Sequence, residues 1–121
     1  VVQASAPAGI RVAVNTTPLP LPTDKVIPAA LVVAELVANC LEHAFVGRPE
    51  GAIRVDARME AGNRVELSVS DDGTGLPPGF DAAKVPSLGL RLVRLLTLQL
   101  GGDFTMVDTG TGAQARLCFS V

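Results

Sequence analysis

The residues in this chain that could do chemistry lie in three clusters, the first being Glu35-Leu36-Val37-Ala38-Asn39-Cys40-Leu41-Glu42-His43-Ala44-Phe45. On a helix turning roughly 100° per residue, residues 28–46 place Glu35, Asn39, Glu42 and His43 within an arc of about 100°. Apart from Pro28, the rest of the span is Ala, Val, Leu, Cys and Phe. A surface helix keeps a broad solvated face and a narrower apolar stripe. This pattern is the reverse, so it predicts a mostly buried helix with one thin polar seam. Such a helix keeps polar groups where something polar meets them. Glu35, Asn39 and His43 follow the i, i+4, i+8 spacing of one face. Asn39 can offer a neutral oxygen to Mg2+. Glu35 can orient a nucleophile or a metal-bound water. His43 can donate to a phosphate or close the helix end.

The second cluster is Asp71-Asp72-Gly73-Thr74-Gly75. A carboxylate at a strand end can accept a hydrogen bond from an amino group such as that of adenine. Gly73 and Gly75 let the backbone come close to a flat ligand. An aspartate capping its own turn accounts for the same residues equally simply. The third is Gly89, just before a helix start whose free N–H groups and dipole attract phosphate. A tight turn explains that glycine too, and Arg91 and Arg94 read as a solvated helix face.

The elements that must position these groups follow from periodicity. Residues 1–9 carry too little pattern to assign. Ile10, Val12 and Val14 alternate as a short strand. Three prolines between Asn15 and Pro22 make a loop. Thr23 or Asp24 is placed to cap the helix, Pro28 falls in its first turn, and the helix runs to about Val46 before Gly47, Pro49 and Gly51. Ile53, Val55, Ala57 and Met59 alternate, as do Val65, Leu67 and Val69, giving a hairpin that turns at Glu60–Asn63. The glycines and prolines of 70–79 exclude helix or strand there, and a loop continues to Ser87. Leu88 opens a second helix that Gly101-Gly102 stops. A last hairpin carries Phe104 and Met106, turns through Asp108–Gly112, and returns with Ala115, Leu117, Phe119 and Val121. The expected architecture is a two-layer α/β sandwich with helices on one face of a sheet.

Composition narrows the function. With 121 residues, 48% hydrophobic and 18% charged, the chain is one globular domain with a sizeable core. A formal net charge of −2 gives no electrostatic case for nucleic acid or a membrane surface. Absence of Trp and Tyr takes away further support for base-stacking nucleic-acid modules. No run approaches twenty uninterrupted apolar residues. Two distant cysteines and one histidine suggest neither a zinc site nor a disulfide framework, and they fit a reducing cytoplasm. A start at Val1 rather than Met is expected of a piece of a longer protein.

The three clusters in this order resemble a known family. ELVANCLEHAF is similar to the N box of the GHKL ATPases, DDGTG to their G1 box and SLGLRLVRLL to their G2 box. The form of these boxes most resembles the catalytic domain of bacterial sensor histidine kinases, over about residues 10–121. The resemblance implies a Bergerat-type fold with a mixed, mostly antiparallel sheet, and it implies ATP and Mg2+ as ligands. Asn39 would hold Mg2+ and Glu35 would assist transfer geometry. Asp71 would take the adenine amino group, with Gly73 and Gly75 shaping the base pocket. His43, Leu76, Leu88, Gly89 and Leu90 would touch nucleotide, and residues 76–86 would form the ATP lid. The acceptor would be a histidine on a helical dimerisation domain outside this chain, serving a response regulator in a two-component system. His43 itself is not that acceptor. The fragment is expected to be monomeric and cytoplasmic and to make no direct membrane contact, whether or not its parent is membrane-bound. Three features depart from the pattern. Glu42 stands where relatives often carry Lys or Arg, and a carboxylate facing a triphosphate would repel it. Ala113 replaces a hydroxyl-bearing residue near the base. The lid is short, with Phe80 its lone aromatic. Two other functions fit the same boxes: a free-standing anti-sigma-factor serine kinase, and a degenerate GHKL module that binds a partner without phosphotransfer.

Overall fold

Alternation of apolar residues sets the faces of one mixed sheet, and a computed structural model shows how they are covered. It describes Val2–Ser5 and residues 9–121. The elements are β1 (Val2–Ser5), β2 (Ile10–Thr16), α1 (Thr23–His43), β3 (Gly51–Glu60), β4 (Arg64–Asp71), α2 (Leu88–Leu100), β5 (Asp103–Asp108) and β6 (Ala113–Ser120). Strand order is β1-β2-β3-β4-β6-β5. Among the described strands only β2 and β3 pair in parallel, as the crossover through α1 requires. The two-layer sandwich expected from the sequence is therefore what forms.

Register carries the core. Val65, Leu67 and Val69 of β4 face Phe119, Leu117 and Ala115 of β6, and all six are buried. Side chains alternate along a strand, so Asp71 continues the same buried face at the end of β4, opposite Ala113. That parity turns a carboxylate toward the helices rather than toward solvent. The other face is charged, and Arg58 and Arg116 both reach Glu66, at 3.3 and 3.4 Å.

α1 begins at Thr23, but Pro22 occupies the cap position and no side chain caps the helix, so neither Thr23 nor Asp24 plays that part. Pro28 consequently lies in the second turn. The helix stops at His43, and Ala44 closes it by donating to the carbonyl of Cys40 at 2.9 Å; Val46 lies beyond. α1 is also less buried than its polar seam suggests. Pro28, Ala29, Val32, Leu36 and Cys40 pack inward, while Val26, Ile27 and Leu31 remain exposed. The sheet covers only one stripe of the helix, so much of its apolar surface is left outside. By length and mean hydropathy of 1.5 the helix could cross a membrane, yet here it packs on the sheet and supplies the core.

α2 stops at the glycines that the sequence marks, and its start carries a side-chain cap. Ser87 Oγ accepts from the Leu90 amide at 3.3 Å, and Gly101 ends the helix at φ 67°. β1 escapes a pattern reading because backbone pairing to β2 holds it, Val2 opposite Val14 through Ser5 opposite Arg11. Val1 and residues 6–8 lie outside the described residues.

Candidate functional site

A cavity of about 350 Å³ opens between the helices and the end of β4. Leu36, Val69, Leu90, Met106 and Ala115 give it apolar walls, and Phe80 and Val85 of the 76–86 segment cover one side. Asn39, His43 and Asp71 supply polar groups.

Asp71 is the best-held of these. Its Oδ1 accepts from the Gly73 amide at 2.9 Å and the Ala113 amide at 3.3 Å. Its Oδ2 accepts from the Cys40 thiol at 3.4 Å. A carboxylate offers about four lone-pair sites, so one acceptor site on Oδ2 stays open. Asp71 thus caps its own turn and lines the cavity as well. Its neighbour Asp72 is structural: Oδ1 accepts from the Ala52 amide at 2.8 Å and its carbonyl accepts from Arg48 at 2.8 Å.

The glycines set the approach. A β-carbon on Gly73 would collide with the carbonyl oxygen of Ala44, so only glycine lets this loop lie against the end of α1. Thr74 N–H donates to that same carbonyl at 2.8 Å. Gly75, at φ +80°, takes a left-handed turn beside Asp108. Asp108 Oδ2 accepts from the Leu76 amide at 3.1 Å and anchors the start of the 76–86 segment. Arg94 fixes its far half by donating to the Ala82 carbonyl at 2.7 Å. Arg91 is exposed, whereas Arg94 is half-buried and holds this loop rather than solvent.

Of the sequence candidates, Asn39, His43, Asp71, Gly75, Leu76 and Leu90 line the cavity. Gly73 sits behind the wall and shapes it. Glu35 and Gly89 lie next to each other, since a β-carbon on Gly89 would be 2.9 Å from Glu35 Oε2. Leu88 is 81% exposed, so its side chain stays outside the cavity. The Leu90 amide already serves Ser87, which leaves the amides of Leu88 and Gly89, the first two of α2, without intrahelical partners. Glu42 points outward, its side chain 75% exposed and 3.7 Å from His43 Nε2. Ala113 contributes its main-chain amide to Asp71, so it holds the carboxylate without a hydroxyl.

Sequence reasoning missed Cys40, Ser87, Arg94 and Asp108. Ser87, at the head of an apolar helix, had a readable capping signal. Cys40 and Asp108 had none, because their partners are 31 and 32 residues away. Burial, then the charge of Asp71 and the hydrogen bond to it, push the Cys40 thiol up to about 12.

The α/β sandwich is the architecture of histidine kinase ATPase domains of the GHKL class. The family model described as "Histidine kinase-, DNA gyrase B-, and HSP90-like ATPase" matches residues 24–121, and the chain belongs to that family. It is similar to blue-light-activated histidine kinase 2 of Erythrobacter litoralis, 32% identical over 103 residues that cover 85% of this chain and 30% of the relative. The sensor histidine kinase PdtaS of Mycolicibacterium smegmatis is 39% identical over 94 residues, covering 76% of this chain and 19% of its own length. Among solved structures, the histidine kinase domain of the Erythrobacter litoralis EL346 blue-light-activated kinase superposes with a TM-score of 0.84. It is 30% identical over 92% of this chain and 51% of that one. The chain therefore spans less than a third of the length of these curated relatives. It is a histidine kinase-like ATPase domain of the sensor-kinase type.

Proposed function

We propose that this domain binds Mg-ATP in the cavity and transfers the γ-phosphoryl group to a histidine on a helical dimerisation domain. It would do so as the cytoplasmic catalytic part of a two-component sensor kinase. The observation that carries this reading is Asp71: one open acceptor site, facing an apolar cavity, on a carboxylate held by donors from three elements. That donor set fits a purine whose exocyclic amino group donates to Oδ2 while its ring meets Leu36, Val69, Leu90 and Met106.

The remaining groups fit the other end of the nucleotide. Asn39 lies one turn from Glu35 on α1 and next to the cavity, where its carbonyl oxygen suits Mg2+. Among the described residues no three His, Cys, Asp or Glu side chains form a metal cage. An ion held through Asn39 would draw its other ligands from phosphates and water, as Mg2+ commonly does. When bound, the ion would neutralise phosphate charge. The free amides of Leu88 and Gly89 would receive phosphate oxygens at the positive end of α2. Glu35, beside Gly89, would orient the incoming imidazole through a hydrogen bond. Positioning and charge neutralisation carry most of phosphoryl transfer, and these residues supply both. The 76–86 segment, tied at Leu76 and Ala82, would serve as the lid. Exposed Leu88, Leu95 and Leu98 on α2, with Ile27 and Leu31 on α1, offer apolar surface to a helical partner.

The test is phosphotransfer from labelled ATP by this chain joined to its native acceptor domain. Label in an acid-labile, base-stable linkage that Asn39→Ala abolishes supports histidine transfer. Acid-stable label on a serine of a partner would favour the serine-kinase reading. No transfer, with binding intact, would favour a partner-binding module.

A further inference from the structure

Cys40 touches the base-reading carboxylate through its side chain, whereas the cavity residue Ala113 reaches it through a main-chain amide. It follows Val32 and Leu36 on the buried stripe of α1, so its side chain points at the sheet while Asn39 beside it faces the opening. The two amides on Asp71, from Gly73 and Ala113, both hold Oδ1. Because the carboxylate is planar, those two bonds set its torsion and leave the lone pairs of Oδ2 for other donors. The thiol occupies one of them, steadies that oxygen and leaves a single open acceptor site.

We infer that Cys40 is a positioning residue for base selection: its thiol steadies Oδ2 of Asp71 and leaves one open site there to accept from a 6-amino purine. The inference rests on the reading of this cavity as an adenine site and adds the group that tunes it. Because the thiol titrates only near 12, it remains a donor at neutral pH. It therefore takes one lone pair of Oδ2 and adds no second negative charge beside the base. Cys118, on β6, lies on the opposite parity from buried Leu117 and Phe119 and plays no part.

The test is titration of wild type, Cys40→Ser and Cys40→Ala with two non-hydrolysable triphosphates, one of adenosine and one of purine riboside, which lacks the 6-amino group. Serine keeps a donor and alanine does not. Loss of a single hydrogen bond predicts adenosine affinity roughly 3- to 10-fold weaker in Cys40→Ala and within about 2-fold of wild type in Cys40→Ser. The purine riboside compound should bind all three proteins alike. Equal weakening of both ligands in Cys40→Ala would overturn the inference by showing a merely structural effect, as would unchanged adenosine binding. Should the alanine protein not fold, Cys40→Val fills the space without a donor and is read in the same way. A folded wild type that binds neither ligand would instead remove the adenine-site reading itself.

Discussion

Replacing Gly73 by alanine tests the seating of the Asp71–Gly75 loop against α1. The new β-carbon would overlap the carbonyl oxygen of Ala44 and lie 2.7 Å from its carbonyl carbon and its β-carbon. Ala44 cannot yield cheaply, because it is buried and its amide closes α1 on Cys40. The loop must move instead, and the Thr74–Ala44 hydrogen bond goes with it. Overpacking of this kind costs about 1–3 kcal/mol, and the lost bond about 1 kcal/mol more. A total of about 2–4 kcal/mol lowers the melting temperature by roughly 8–16 °C for a domain of this size. Because Gly73 N–H also holds Asp71 Oδ1, nucleotide affinity should fall about 10-fold or more. Thermal denaturation followed by titration with an ATP analogue reads both effects. A variant melting within about 2 °C of wild type, with affinity within about twofold, would refute this seating.

Three further outcomes are expected. The Cys40 thiol is raised from 9.0 to about 12, so its contribution is fully present below about pH 9 and is lost as pH rises toward 12. Wild type should lose on the order of 2 kcal/mol more stability than Cys40→Ser between about pH 8 and 10.5, measured by urea unfolding; equal losses would contradict the burial of the thiol. Glu42→Lys should change nucleotide affinity by less than about threefold, since the side chain points to solvent; a tenfold tightening would place it in the phosphate field. Arg94→Ala should release the loop at Ala82 and speed protease cleavage within residues 76–86, while an unchanged cleavage rate would show that Asp108 alone holds the segment.

Much of the fold was legible because its signals are local. Alternation at Val65, Leu67 and Val69 gave the core face of β4, and Ser87 and Gly101 bracket α2. The same alternation, extended by one pair, puts Asp71 on the helix side, so strand parity predicts the orientation of the main polar group of the cavity. What escaped the sequence is non-local. β1 is held by backbone pairing, which side-chain pattern does not record. The exposed apolar stripe of α1 depends on how far the sheet reaches across it. Glu42 falls inside the polar arc on a helical wheel, but α1 ends at His43 and the side chain turns outward. The thiol on Asp71 and the Asp108 anchor join residues far apart in the chain, and neither has a sequence signature. Leu88, matched through its box, proved exposed, while the amide of Leu90 was already taken by the helix cap.

The most direct measurement is calorimetric titration of a non-hydrolysable ATP analogue into the folded domain, with and without Mg2+, on wild type and Asp71→Asn. The substitution keeps Oδ1 for its two amides but turns Oδ2 into a donor facing both the thiol and the base amino group. Saturable one-site binding that strengthens with Mg2+, and that Asp71→Asn weakens about 10- to 100-fold, is the expected result. No binding at millimolar analogue, or equal binding by both proteins, would contradict the assignment of this cavity to ATP.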